Sequence, residues 1–150
     1  PIDRSRFNSI GSNKLEKTTG IFIGGATDDI RFQSVCYLVD NCIQNDWDLY
    51  IMSHPHQRYD FKHPNIKYLD PIWNTEHLVK NMHFTGGILL GRTTLEGWCC
   101  GVPGYMFLID KQGNILNIDT TPPDNIVELC DSKFVCNQHI KLYESILQNK

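Results

Sequence analysis

Apolar residues recur along this chain in two rhythms. Short, nearly unbroken runs read as strands buried on both faces: Gly20–Gly25 (GIFIGG), Asp48–Met52 (DLYIM), Asn65–Leu69 (NIKYL), Gly87–Leu90 (GILL) and Tyr105–Asp110 (YMFLID). A weaker strand, Ile115–Ile118, follows the turn Lys111-Gln112-Gly113-Asn114. Between the runs the spacing becomes helical. Phe32, Val35, Cys36, Val39, Cys42 and Ile43 mark one helix, with Asp28 and Asp29 suited to its start. Trp73–Leu78 reads as a second helix start, with Asn74 as N-cap and Trp73 stapled onto Leu78. Thr93–Cys100 reads as a short helix stopped by Gly101 and Pro103. TTPPDN reads as a connector, and Ser132–Lys150 as an amphipathic helix with Val135, His139, Leu142 and Ile146 on one stripe.

Strands alternating with helices predict an α/β, Rossmann-like fold: a mostly parallel sheet with helices on both faces. Residues 1–19 are polar and irregular and read as a linker or leader, leaving 20–150 as the domain. In such sheets ligands bind outside the carboxyl ends of the strands. That rule selects Gly24 and Gly25, Ser53 and His54, Asp70 and Pro71, Gly91–Thr94, and Asp110. At two of these places glycine precedes a helix N-terminus, where backbone N–H groups and the helix dipole favour an anion such as phosphate.

Composition narrows the classes. The 150 residues are 41% hydrophobic, enough for one cored domain, and the net charge of −3 argues against a nucleic-acid partner. No apolar run reaches the length of a membrane span. Six cysteines (Cys36, Cys42, Cys99, Cys100, Cys130, Cys136) include no C-x-x-C pair, so reduced, mostly buried thiols in a cytosolic protein are expected, with no zinc. His54, His56 and His63 share a loop, but no carboxylate or thiol pattern completes a metal site. The chain opens on Pro1 rather than methionine and reads as a piece of a longer protein. GIFIGGATDD matches neither the G-x-G-x-x-G fingerprint nor a Walker loop.

The segment with the most chemistry is Gly91–Gly104, GRTTLEGWCCGVPG, set between two apolar runs. Its order of LEG, a few residues, then G-x-P resembles the nucleotide-sugar-binding segment of GT-B-fold glycosyltransferases, the large retaining group typified by glycogen synthase. PIDRSRF resembles that family's interdomain segment. IFIGG, NIKYLDP and KLYESIL resemble its first C-domain strand, its third strand with the following turn, and its final helix. The resemblance runs in order over almost the whole chain and implies one half of a GT-B fold, the donor-binding domain.

What the resemblance implies is specific. The donor would be a nucleotide-diphosphate sugar, with no further cofactor. The acceptor, a glycan or lipid-linked sugar, would sit on a missing N-terminal domain, and the enzyme would work in the cytoplasm, at times at the inner face of a membrane. Glu96 maps onto the family's ribose-binding glutamate, and Asp70 and Pro71 onto the turn that meets the nucleobase. Arg92, Thr93 and Thr94 lie where the diphosphate would, beside Gly24 and Gly25. Each assignment has a plainer alternative. Thr93-x-x-Glu96 is also a capping box, Gly97 serves either a close nucleotide approach or helix packing, and Arg92 is either a phosphate ligand or a solvated arginine. The pattern also departs from the family. Ile88 stands where a second acid is usual, Gly25 stands where an arginine is usual, and Arg31 is the one basic residue near the expected lysine. Two other readings therefore stay open: a catalytically degenerate binding or assembly module, and a GT-B-type sugar epimerase.

Overall fold

The computed structural model of the chain describes residues 2–25, 28–54, 59–87, 91–110 and 112–148. Its strands are β1 (Thr19–Ile23), β2 (Asp48–Met52), β3 (Ile66–Leu69), β4 (Phe84–Gly87), β5 (Gly104–Ile109) and β6 (Ile115–Thr120). They form one six-stranded sheet in the order β3-β2-β1-β4-β5-β6. The first five are mutually parallel, and β6 returns antiparallel along β5 through a tight turn. This is the expected Rossmann-like α/β architecture. Its topological switch point falls between β1 and β4, where the chain reverses its direction of travel across the sheet.

The helices are α1 (Asp29–Gln44), α2 (Glu76–Val79), α3 (Arg92–Cys99), α4 (Ile126–Cys130) and α5 (Ser132–Gln148). Side chains alternate across the strands, so neighbours on β1 serve opposite cores. Phe22, with Leu49, Ile51 and Phe84, meets Val35, Leu38, Val39 and Cys42 of α1 on one face. Ile21 points the other way, into a core with Val79, Met82, Cys99, Cys100, Val102, Ile126 and Cys130 under α2, α3 and α4. Each fully buried aliphatic side chain contributes about 1.5–3 kcal/mol, so these two layers fix the sandwich.

The start of α1 is as expected. Asp28 is the N-cap, its carboxylate accepting from the Arg31 backbone N–H at 2.8 Å, and Asp29 lies in the first turn. Other expectations need correction. The fourth strand lies earlier than Gly87–Leu90, at Phe84–Gly87; Ile88–Leu90 are outside the described residues, as are His56 and Arg58. The glycines concealed it; Gly86 lies under α1, where an added Cβ would stand 2.4 Å from Leu38 Cδ2 and the Leu38 side chain would have to shift. The second helix is a single turn from Glu76, preceded by Thr75 rather than capped by Asn74. Trp73 staples nothing; it is 95% exposed. A short helix, α4, stands where no element was expected.

Residues 2–18 carry no helix or strand, yet Ile2 and Phe7 are buried in the core beneath α2–α4, and the Ile2 N–H donates to the Cys130 carbonyl at 3.1 Å. At the other end, α5 leaves the body. Of its expected apolar stripe, His139 and Leu142 are exposed and Val135 is half-buried, and Ile140, Tyr143 and Leu147 beside them are exposed as well. Among the described residues no helix is long and apolar enough to cross a membrane.

Candidate functional site

The carboxyl ends of β1 and β4 open into a cleft of about 290 Å³. It is lined by Gly24 and Gly25 after β1, Gly86 and Gly87 of β4, Arg31 of α1, and Gly91–Thr94 at the start of α3. Six of the ten residues singled out from the sequence thus meet in one place: Gly24, Gly25, Arg31, Arg92, Thr93 and Thr94. Gly24 has φ +147°, a conformation that glycine tolerates, and its N–H donates to the Met52 carbonyl at 3.1 Å. The chain therefore turns away at the end of β1 without a side chain over the opening.

Two helices aim their N-termini here, and they are not equivalent. The start of α1 is already served by anions, since the Asp28 carboxylate caps it and Asp29 follows. Asp28 also holds the Arg31 side chain, Oδ2 to Nε at 3.3 Å. The start of α3 has Gly91 as N-cap, no side-chain cap and no acid in its first turn. The first intrahelical bond runs from the Leu95 N–H to the Gly91 carbonyl. The N–H groups of Arg92, Thr93 and Thr94 therefore lack intrahelical partners, as first-turn donors do. An anion at this end gains the dipole, about 0.3–1 kcal/mol when exposed, and the donors with it.

Glu96 lies one turn behind. It is 6% exposed, and its Oε1 accepts from Arg92 Nε at 2.7 Å, while the Arg92 side chain is 76% exposed. No capping box forms: the N-cap is Gly91, so Thr93 sits inside the helix, its hydroxyl 3.4 Å from the Ile23 carbonyl. Glu96 is thus a buried carboxylate whose cation reaches from the mouth of the cleft. Gly97 faces the sheet. A Cβ on it would sit 2.7 Å from Thr85 Cγ2 and 3.3 Å from the Val102 carbonyl, so packing of α3 onto β4 requires glycine. Thr94 packs beside it, above Gly104 of β5, where a Cβ would meet Thr94 Cγ2 at 2.9 Å.

Asp70 and Pro71 are exposed after β3, two strands from β1, and are not part of the cleft wall. Asp110 is taken up by its own turn, accepting from the backbone of Gln112 and Asn114 and from Asn114 Nδ2 at 2.8–2.9 Å. That bonding holds its carboxyl below the usual carboxylate range. Among the described residues no three His, Cys, Asp or Glu side chains come together to hold a metal.

The six cysteines are free thiols. Cys99 and Cys100 serve the packing of α3: burial pushes Cys99 up to about 12 and Cys100 up to about 11, so both stay protonated and inert.

Sequence reasoning missed one contributor, Arg6. Its guanidinium donates to Glu76 Oε2 at 2.8 Å and Oε1 at 3.4 Å, to the Trp73 carbonyl at 3.1 Å and to Asn74 Oδ1 at 3.4 Å. Nothing in the PIDRSRF segment marks that role, because all three partners lie 67 to 70 positions away.

The residues assembled here can bind an anion at a glycine-lined switch point, with two arginines beside it. No known protein family matches the chain, and no curated protein is detectably similar to it.

Proposed function

We propose that this domain binds a nucleotide-diphosphate sugar and is the donor-binding half of a GT-B-type glycosyltransferase, passing the sugar to a glycan or lipid-linked acceptor. The observation that carries the reading is the uncapped start of α3, which faces the glycines after β1 with Arg92, Thr93 and Glu96 within two turns. In this reading the diphosphate lies across the first turn of α3. Its leaving charge is held by the N–H groups there and by Arg92 and Arg31. Glu96 accepts from the ribose hydroxyls through the acceptor sites its carboxylate keeps beside the bond from Arg92. The acceptor binds on a second domain, and transfer requires the two to close and exclude water. The exposed apolar residues of α5, Ile140, Leu142, Tyr143 and Leu147, are the surface offered to that second domain. The domain alone therefore binds donor without turning it over.

The test is a titration of the chain with UDP-, GDP-, ADP- and CDP-sugars against inorganic pyrophosphate. One sugar nucleotide should bind more tightly than pyrophosphate, and Arg92→Ala should weaken both. Binding of no sugar nucleotide, or binding untouched by Arg92→Ala, refutes the reading.

One observation favours a second reading, a non-catalytic binding module. Both arginines of the cleft are already paired, Arg31 with Asp28 and Arg92 with Glu96, which lowers the positive charge available to a leaving diphosphate. Affinity for sugar nucleotides no greater than for pyrophosphate, together with no transfer after joining to an acceptor domain, selects it.

A further inference from the structure

A parallel sheet is stable when helices cover both faces, and a crossover between parallel strands is usually a full helix. The crossover from β3 to β4 departs from this, for it carries only α2, a single turn of four residues. Val79 of that turn joins the core around Ile21 of β1. Beside it, over β2 and β3, a groove of about 330 Å³ remains. Tyr50 of β2 and Leu69 of β3 line it together with Leu15, Leu78 and Met82 from the flanking segments. Met82 is buried, Tyr50, Leu69 and Leu78 are half-buried, and Leu15 is 41% exposed. The groove shares no residue with the cleft between β1 and β4.

The Leu15 wall is held in place. The segment before it is fastened to residues 80–82 by three bonds: the Asn13 N–H donates to Asn81 Oδ1 at 2.7 Å, Lys80 Nζ to the Ile10 carbonyl at 3.2 Å, and Lys14 Nζ to the Met82 carbonyl. These bonds also bring two cations beside the groove. Both ammonium charges act on the buried Cys100 thiol, so Lys14 and Lys80 lie in the same neighbourhood. Neither forms an ion pair among the described residues, whereas Lys67, 5.3 Å from the Tyr50 ring, is committed to Asp48. Burial pushes the Lys14 ammonium below the ordinary lysine value, so an anion beside it relieves a charge already short of water. Two polar side chains line the groove, His77, which is exposed, and Asn81, whose amide also donates to the His77 carbonyl at 3.0 Å. The body of a ligand here is therefore apolar. One turn of an α-helix with its side chains, about 10 Å across and about 5.4 Å long, exceeds the volume, and a slender chain does not.

We propose that this groove binds a single aliphatic chain ending in an anionic head, a carboxylate or a phosphate, with the chain laid against Tyr50, Leu69 and Met82 and the head held by Lys14 and Lys80. The apolar lining supplies affinity through the water it releases, and the two unpaired ammonium groups decide which end of the ligand lies where. The site is separate from the donor cleft and does not depend on it.

The experiment titrates the chain calorimetrically with hexanoate, octanoate, decanoate, dodecanoate, dodecyl phosphate and dodecanol, each kept below the concentration at which it forms micelles. Kd should fall about fourfold per added CH₂ until the groove is full. Dodecanoate and dodecyl phosphate should bind several-fold more tightly than dodecanol. The Lys14→Gln, Lys80→Gln double variant should abolish that preference and leave dodecanol affinity unchanged, a split that loss of fold would not produce. Leu15→Asp empties no core, because the side chain is exposed, and it sets a carboxylate at the groove; it should weaken every chain about tenfold or more with the urea midpoint retained. A Kd independent of chain length, or dodecanoate affinity untouched by Leu15→Asp, overturns the groove. Dodecanol binding as tightly as dodecanoate overturns the anionic head. Binding to none of the six compounds overturns the proposal, and so does binding confined to vesicles of anionic phospholipid, which would make this face a membrane contact. Each of these failures leaves the donor cleft standing.

Discussion

Replacing Gly97 by alanine separates the two roles that its position allows, contact with a nucleotide and contact with the sheet. The added Cβ would stand 2.7 Å from Thr85 Cγ2, 3.1 Å from its Oγ1 and 3.3 Å from the Val102 carbonyl. Thr85 is fully buried on β4 and cannot swing into solvent. The Val102 carbonyl is main chain, and the Val102 N–H is bonded to the Gly97 carbonyl at 2.8 Å, so neither neighbour yields freely. The helix must lift by a few tenths of an ångström. Overpacking of this kind costs about 1–3 kcal/mol, offset by about 1 kcal/mol gained when alanine replaces glycine in a helix. The net expectation is a loss of up to about 2 kcal/mol, or a fall in Tm of up to about 8 °C for a chain of this size. The assay is a urea midpoint at constant m, paired with a pyrophosphate titration. Thr85→Ala in the same chain removes the clashing atoms, so the double variant should recover about 1 kcal/mol or more relative to additivity. Gly97→Ala that is more stable than wild type would show that the helix does not approach β4 as closely as described. Unchanged stability with lost nucleotide affinity would instead place Gly97 against the ligand.

Three further outcomes are expected. Glu96→Gln should leave stability within about 1 kcal/mol, because the amide oxygen still accepts from Arg92, while nucleotide affinity falls about tenfold to a hundredfold through the lost charge-assisted bond to ribose; an unchanged nucleotide Kd removes Glu96 from the site. Arg6 holds the Glu76 carboxyl below its ordinary value, so the stabilisation is present above the unfolded pKa, about 4.3, and fades as pH falls through the lower folded value; Glu76→Gln should flatten that part of an acid titration, and an unaltered profile refutes the contribution of the Arg6–Glu76 pair. Thiol titration of the native chain should modify the exposed Cys136 first and Cys36 next, with Cys42, Cys99, Cys100 and Cys130 reacting only on unfolding; rapid modification of all six contradicts the buried α3–α4 packing.

The sequence by itself determined the layers and the address of the site. Unbroken apolar runs at β1, β2 and β5 specify a sheet covered on both faces, because each strand must bury both sets of its side chains. Asp28 at the head of α1 specifies that helix start through local bonding alone. The glycines after β1 and before α3 marked the strand ends where the cleft lies, since that rule depends only on chain direction. Local patterns failed where a distant partner decides. The apolar run GILL drew the fourth strand to Gly87–Leu90, whereas the strand is Phe84–Gly87, whose Gly86 lies under Leu38 of α1. Asn74 has the chemistry of a cap, but Arg6 claims its side chain, and the helix starts later. Thr93 and Glu96 have the spacing of a capping box, yet Gly91 is the N-cap, so Glu96 falls in the second turn and pairs with Arg92. Only the tertiary structure could seat Phe7 in the core and bring Arg6 to Trp73 and Glu76. That contact spans about seventy residues, and its energy appears only once the sheet has brought the two segments together.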